Sequence, residues 1–107
     1  MVERFAVATF LVIRTQNGPE WDPAKPMQEQ TLWPEHAEYM EALAERGFFL
    51  FGGPGLFPRV PFAISAGSEQ EVRAELARDP WHESHLVVES LEPWSIRLRS
   101  PLLEDRL

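Results

Sequence analysis

The chain predicts an α+β fold, a ferredoxin-like β-α-β-β-α-β unit with a four-stranded antiparallel sheet. Four short segments are rich in aromatic and β-branched residues, as strands are. Two stretches between them carry helical spacing with start and stop signals. The length of 107 residues suits one domain, 1–107, with its own core.

The first strand spans Phe5 to Arg14. Phe5, Val7, Leu11 and Ile13 occupy one face and Ala6, Ala8, Phe10 and Val12 the other. A strand wet on one side should alternate apolar with polar, so this one is expected to be covered on both. Gln16 to Thr31 follows, punctuated by Asn17-Gly18-Pro19, Trp21-Asp22-Pro23 and Lys25-Pro26. A loop of this length in a small domain is a functional lid or is disordered. Trp33 to Arg46 is the first helix, with Pro34 suiting its first turn, Arg46 its C-terminal dipole and Gly47 its C-cap. Phe48 to Phe51 is an apolar strand ending in Gly52-Gly53-Pro54-Gly55, a turn where backbone can approach a ligand. Val60 to Ala66 is the third strand. Ser68-Glu69-Gln70-Glu71 matches a capping box, serine to the N3 amide and glutamate back to the N-cap amide. The second helix then runs from about Glu69 to Arg78, packing through Val72 and Leu76. Leu86 to Leu98 is the last strand, bent near Pro93, and 100–107 forms a short tail.

Two helices cover one face of such a sheet, and the other would leave a large apolar patch in water. A homodimer packed through the open sheet face is therefore expected. The net charge of −7 argues against nucleic acid, which requires a cationic surface. No polybasic stretch suits an anionic membrane, and no window approaches a membrane span of about 18 apolar residues. The absence of cysteine excludes disulfides, thiolate metal sites and a cysteine nucleophile. Met1-Val2-Glu3-Arg4 leads into strand-like sequence with no signal-peptide pattern, so a cytoplasmic protein is expected.

The chemistry-bearing candidates are His36 and Asp79. Trp33, His36, Ala37, Met40, Leu43 and Ala44 form one helical stripe, which puts the imidazole on a buried face. A buried imidazole needs a partner for its N–H, and a carboxylate would supply one and raise its basicity. His36 is thus either a satisfied core histidine or a general base. Asp79 precedes Pro80, the pattern of an N-cap with proline at N1. Capping and orienting His36 are compatible roles, one carboxylate oxygen for each. His82 and His85 stand three apart with Glu83 nearby. Without further ligands the pair reads as solvated turn residues, and no metal is expected. Trp21 either folds over a ligand or packs across the dimer interface; Trp81 is a pocket wall or core. Gly52, Gly53 and Pro54 form a ligand-approaching turn or simply a tight one. Glu35, Glu38, Glu41 and Glu45 form a solvated helix face. No Ser-His-Asp pattern, P-loop or dinucleotide fingerprint is present.

Taken in order, the Trp21-Asp22-Pro23 loop, His36 early in the first helix, Gly47 followed by an apolar strand into Gly52-Gly53-Pro54, Asp79-Pro80-Trp81 and Pro93-Trp94 resemble the YCII-related (YciI-like) family. The resemblance implies a dimeric α+β barrel with a cleft between helices and sheet. It also implies a histidine–aspartate catalytic centre, here His36 and Asp79, and lyase-type dehydrochlorination of aromatic catabolites among some relatives. The preferred reading is a cofactor-free lyase or isomerase of a small organic molecule. His36 moves the proton, Asp79 fixes its tautomer, and Trp21, Gly52, Gly53, Pro54 and Trp81 contact the substrate. The alternative is a non-catalytic dimeric module that binds a small ligand or assists a partner enzyme through the same cleft. Cofactor-free monooxygenase chemistry on this fold is a third option.

Overall fold

The structure, a computed structural model, describes residues 8–103. The predicted first-strand residues Phe5–Val7 and the tail residues 104–107 lie outside these. Strand β1 (Ala8–Thr15) is followed by a long loop holding one 3-10 turn, Met27–Glu29, and then by helix α1 (Trp33–Glu45). Strands β2 (Phe49–Gly52) and β3 (Arg59–Ala66), helix α2 (Glu69–Leu76) and strand β4 (Val87–Pro93) complete the order. The four strands form one antiparallel sheet in the order β2-β3-β1-β4, compatible with a ferredoxin-like fold. The last strand is shorter than expected. It stops at Pro93, although the Trp94 N–H still donates to the Thr9 carbonyl of β1 at 2.8 Å, and residues 94–100 take no regular structure.

The start of α2 and the end of α1 follow local chemistry, while α2 stops at Leu76, short of the expected Arg78. Ser68 Oγ accepts from the Glu71 N–H at 3.1 Å, the first half of the expected box. Glu71 reaches one residue further back than expected, accepting from the Gly67 N–H at 2.7 Å instead of the N-cap amide. Gly47 adopts φ +78° directly after α1, the left-handed step that ends a helix. The two helices are joined by a cluster absent from the sequence reading. The Tyr39 hydroxyl donates to the Glu75 carboxylate, which also takes Arg46 at 3.2 Å. Hydrogen bonds from Tyr39 and Arg46 hold the Glu75 carboxyl below its ordinary range, outweighing its partial burial.

The core lies between helices and sheet, built from Phe10, Val12, Phe62 and Ile64 beneath Leu43, Val72 and Leu76. Val12 is flanked by Phe62 on β3 and Leu91 on β4. Two residues further along β1, on the same face, Arg14 is flanked by Val60 and Val88. The opposite face carries Leu11 and Ile13, both half-buried. Exposed apolar side chains also include Phe51, which faces this same side opposite Ala63, its neighbour Leu50 on the edge strand β2, Leu56 and Phe57 in the turn after it, and Trp94, Ile96 and Leu98 beyond β4. On this open face β3 contributes the small residues Pro61, Ala63 and Ser65 opposite β1. Among the described residues no helix is long and apolar enough to cross a membrane.

At the end of β2 the backbone comes close to β3. A Cβ on Gly52 would stand 2.1 Å from Phe62 Cβ, a separation no side chain tolerates. Gly52→Ala is expected to cost about 1–3 kcal/mol of stability, the range for overpacking a core. Urea denaturation measures it, and an unchanged midpoint would mean that β2 lifts away from β3 without cost.

Candidate active site

Asp79 follows α2 by three residues and is buried, at 3% exposure. Its position is set by a tight turn in which the His82 N–H donates to the Asp79 carbonyl at 2.9 Å and the Trp81 N–H donates to Oδ1 at 2.9 Å. This is the capping role expected of Asp-Pro. The same carboxylate reaches two distant elements. His36 Nδ1 lies 2.8 Å from Oδ1 and 3.0 Å from Oδ2, and Arg14 Nη2 donates to Oδ2 at 2.8 Å. The oxygens are therefore not divided between capping and His36; Oδ1 does both, and Oδ2 takes the arginine together with the longer contact to His36.

Burial alone would raise the Asp79 pKa. The hydrogen bond from His36 and the charge of Arg14 outweigh it, with the Trp81 N–H adding to them, and hold the carboxyl below its ordinary value. An ionised carboxylate only accepts, so the proton on His36 Nδ1 is the one donated. That assigns Nδ1–H to neutral His36 and leaves Nε2 with its lone pair. Nε2 has no hydrogen-bond partner among the described residues.

Aromatic rings fix the rest. Trp81 is fully buried, with its ring parallel to the His36 imidazole at 4.1 Å and 8°. Its other stacked neighbour is His85, at 4.9 Å and 13°. Trp81 Nε1–H donates to the Thr31 carbonyl at 2.7 Å, which satisfies the one polar group of the indole. His85 is fully buried and not a solvated turn residue as the sequence suggests. Its ring nitrogens hydrogen-bond to the hydroxyls of Ser84 at 2.8 Å and Thr31 at 2.9 Å, which allow either tautomer. Burial lowers its pKa, outweighing the opposing charges of Glu20 and Asp79. His82 is half-buried, 3.7 Å from the Glu83 carboxylate. Among the described residues no group of three or more histidine, aspartate or glutamate side chains is arranged to hold a metal ion.

A cavity of about 300 Å³ opens beside this cluster, between α1 and the sheet. His36, Arg14 and Trp81 line one part of it. Trp33, Met40, Phe49, Val60 and Phe62 supply apolar wall, and Gly52, Gly53 and Pro54 contribute backbone. The sequence-predicted residues His36, Gly52, Gly53, Pro54 and Trp81 thus share one cavity, with Asp79 directly behind His36. Trp21 does not line it. Its ring packs edge-on against Trp81 at 5.6 Å, and the long loop instead sends Met27 to the cavity. That loop is ordered by its own bonds. Gln30 accepts from the Asp22 N–H and donates to the Asp22 and Lys25 carbonyls, and Gly18 and Glu20 donate backbone bonds to His85 and Ser84. Sequence reasoning missed Arg14 and His85. Arg14 had a usable signal, since it shares the inward parity of Phe10 and Val12. His85 had none, because no periodicity marks its turn.

The depressed Asp79 pKa has a consequence for stability. A carboxyl whose pKa is lower folded than unfolded stabilises the fold above its unfolded value, and that contribution fades as pH falls through the folded one. Asp79→Asn, which leaves Arg14 without its counter-charge, is expected to destabilise by about 3–5 kcal/mol above roughly pH 5. The gap from wild type should shrink once pH drops below the ordinary aspartate value of 3.8. Denaturant melts across pH measure this; a pH-independent gap would mean that the aspartate charge is not what stabilises the site. Compared with known proteins, the chain matches no protein-family model and no curated protein.

Proposed function

We propose that this chain is a YciI-like, cofactor-free enzyme that moves a proton on a small, largely apolar molecule, with His36 as general base and acid and Asp79 as its orienting partner. One observation carries the reading: an imidazole whose Nδ1 is tied to a buried carboxylate at 2.8 Å lines an apolar cavity. That is the geometry general acid–base catalysis requires, a basic nitrogen within reach of a bound ligand and a second group fixing the tautomer.

The step is simple to balance. His36 Nε2 takes a proton from a substrate carbon or oxygen, and the electron pair stays on the substrate. The imidazolium keeps its Nδ1–H on Asp79, whose negative charge offsets the new positive one. Returning the proton to a different atom isomerises the molecule; expelling a leaving group such as chloride completes an elimination. The walls formed by Trp33, Met40, Phe49 and Phe62 suit an aromatic or similarly apolar skeleton, and about 300 Å³ is at the small end of ligand pockets. Dimerisation through the sheet face opposite the helices belongs to the same reading. It would cover Leu11 and Ile13, which a single chain leaves half-buried.

A panel of aromatic lactones and chlorinated hydroquinones, followed by absorbance and chloride release, tests the chemistry. Wild type should turn over at least one member, and His36→Gln, shown folded by its melting curve, should lose about 10²–10⁴-fold in rate. Equal rates in both proteins would remove His36 from the chemistry. Saturable binding of panel members with no turnover would instead favour a non-catalytic ligand-binding module. Sedimentation equilibrium reads the oligomer, with a dimer expected and a monomer at high concentration contradicting the sheet-face interface.

A further inference from the structure

Among the described residues, Arg14 is the most deeply buried cation. Its side chain is only 1% exposed, it sits on the core face of β1, and it lines the same cavity as His36. Of its donors, Nη2 is engaged by Asp79, and Nε is buried without a hydrogen-bond partner. An arginine does not escape burial by losing its proton, so a buried donor without a partner is a standing cost. The guanidinium also lies 6.0 Å from the Phe62 ring, and that contact does not satisfy an N–H.

With His36 neutral, Arg14 and Asp79 cancel. Once His36 holds a second proton, the cluster carries two positive charges against one negative, in a setting that burial makes poorly screened. A negative charge on the ligand restores neutrality, and the cavity-lining cation that can meet it is Arg14. The remaining ionisable group on the cavity wall is Glu41, which is exposed on α1. Its sign would repel an anion, so any attraction for one comes from the Arg14 end.

We infer that the cavity takes a small apolar molecule bearing one weakly acidic hydroxyl or enolisable carbonyl, and holds it as the oxyanion against Arg14 with its proton on His36. The inference rests on the acid–base reading of His36 and narrows the substrate class within it. In the step, the O–H or α-C–H bond breaks, its proton goes to His36 Nε2, and the electron pair settles on the ligand oxygen. Total charge is unchanged. A charge-assisted hydrogen bond from a guanidinium to that oxygen is strongest when the oxygen is anionic, so Arg14 favours the ionised ligand over the neutral one. Arg14 is then what separates an acidic ligand from a neutral one of the same shape.

Binding of 4-nitrophenol tests this directly, because its anion has a visible absorption band that the neutral phenol lacks. The titration is run on the full chain about one pH unit below the free phenol's pKa, with nitrobenzene as the neutral counterpart of similar shape. Wild type should show the phenolate band growing with bound ligand, and should prefer nitrophenol to nitrobenzene by about tenfold or more. Arg14→Met should lose the band and the preference, whereas Arg14→Lys, which keeps the charge, should retain part of both. If Arg14→Met does not fold, folded His36→Gln gives the second arm, expected to bind the phenol without the band. Nitrophenol bound as the neutral phenol, or no tighter than nitrobenzene, overturns the oxyanion assignment and leaves the acid–base reading of the cavity standing. Failure of both probes to bind overturns the assignment together with the cavity's role as a ligand site.

Discussion

Asp79 is a carboxylate sealed inside the protein, and an isolated charge there would cost several kcal/mol. It is tolerable because donors converge on it from three directions: Arg14 from β1, His36 from α1 and the Trp81 amide from its own turn. Each of these elements would be placed differently without it. The turn after α2 needs the carboxylate as its cap, the inward-facing arginine needs a counter-charge, and the imidazole needs an acceptor for its Nδ1–H. One side chain therefore fixes the spacing between the central strand, the first helix and the turn leading into β4. The site's chemistry and part of the fold's stability depend on the same bonds.

Trp81 extends that constraint outward. Its indole is held between the rings of His36 and His85, and its N–H is anchored on Thr31 in the long loop. Through His85, Gly18 and Gln30 the loop is tied to the turn and to itself, so its sixteen residues from Gln16 to Thr31 are not left as a free lid. This matters for the cavity, because a base held against a rigid indole cannot swing between orientations. A proton acceptor fixed in one direction is what distinguishes a positioned base from an ordinary surface histidine.

Much of this was legible in the sequence, for local reasons. Helical spacing placed His36 on the buried face of α1, and Asp-Pro announced a cap, both features that neighbouring residues determine. The order of strands and helices followed from the same local signals. What stayed hidden depended on distant partners. Arg14 reads as the polar end of a strand until Asp79, 65 positions later, explains why a cation points inward. His85 lies in a turn with no period, and only the face of Trp81 makes it a core residue. The make-up of the open face also depends on pairing, which sets Pro61, Ala63 and Ser65 of β3 opposite β1. In the long loop, proline punctuation marks a departure from helix and strand, but Gln30 bridging Asp22 and Lys25 gives it order that composition does not reveal.

The central claim is that Asp79 keeps the proton of neutral His36 on Nδ1 and leaves Nε2 free to act as a base. Two-bond nitrogen–proton correlation spectra of the ¹⁵N-labelled protein measure this directly, since protonated and bare imidazole nitrogens differ widely in chemical shift. The account predicts a protonated-type shift for Nδ1 and a bare-type shift for Nε2 in neutral His36, and a loss of that asymmetry in Asp79→Asn. A wild-type His36 protonated on Nε2 would contradict it, because the nitrogen assigned to the chemistry would then have no lone pair to offer.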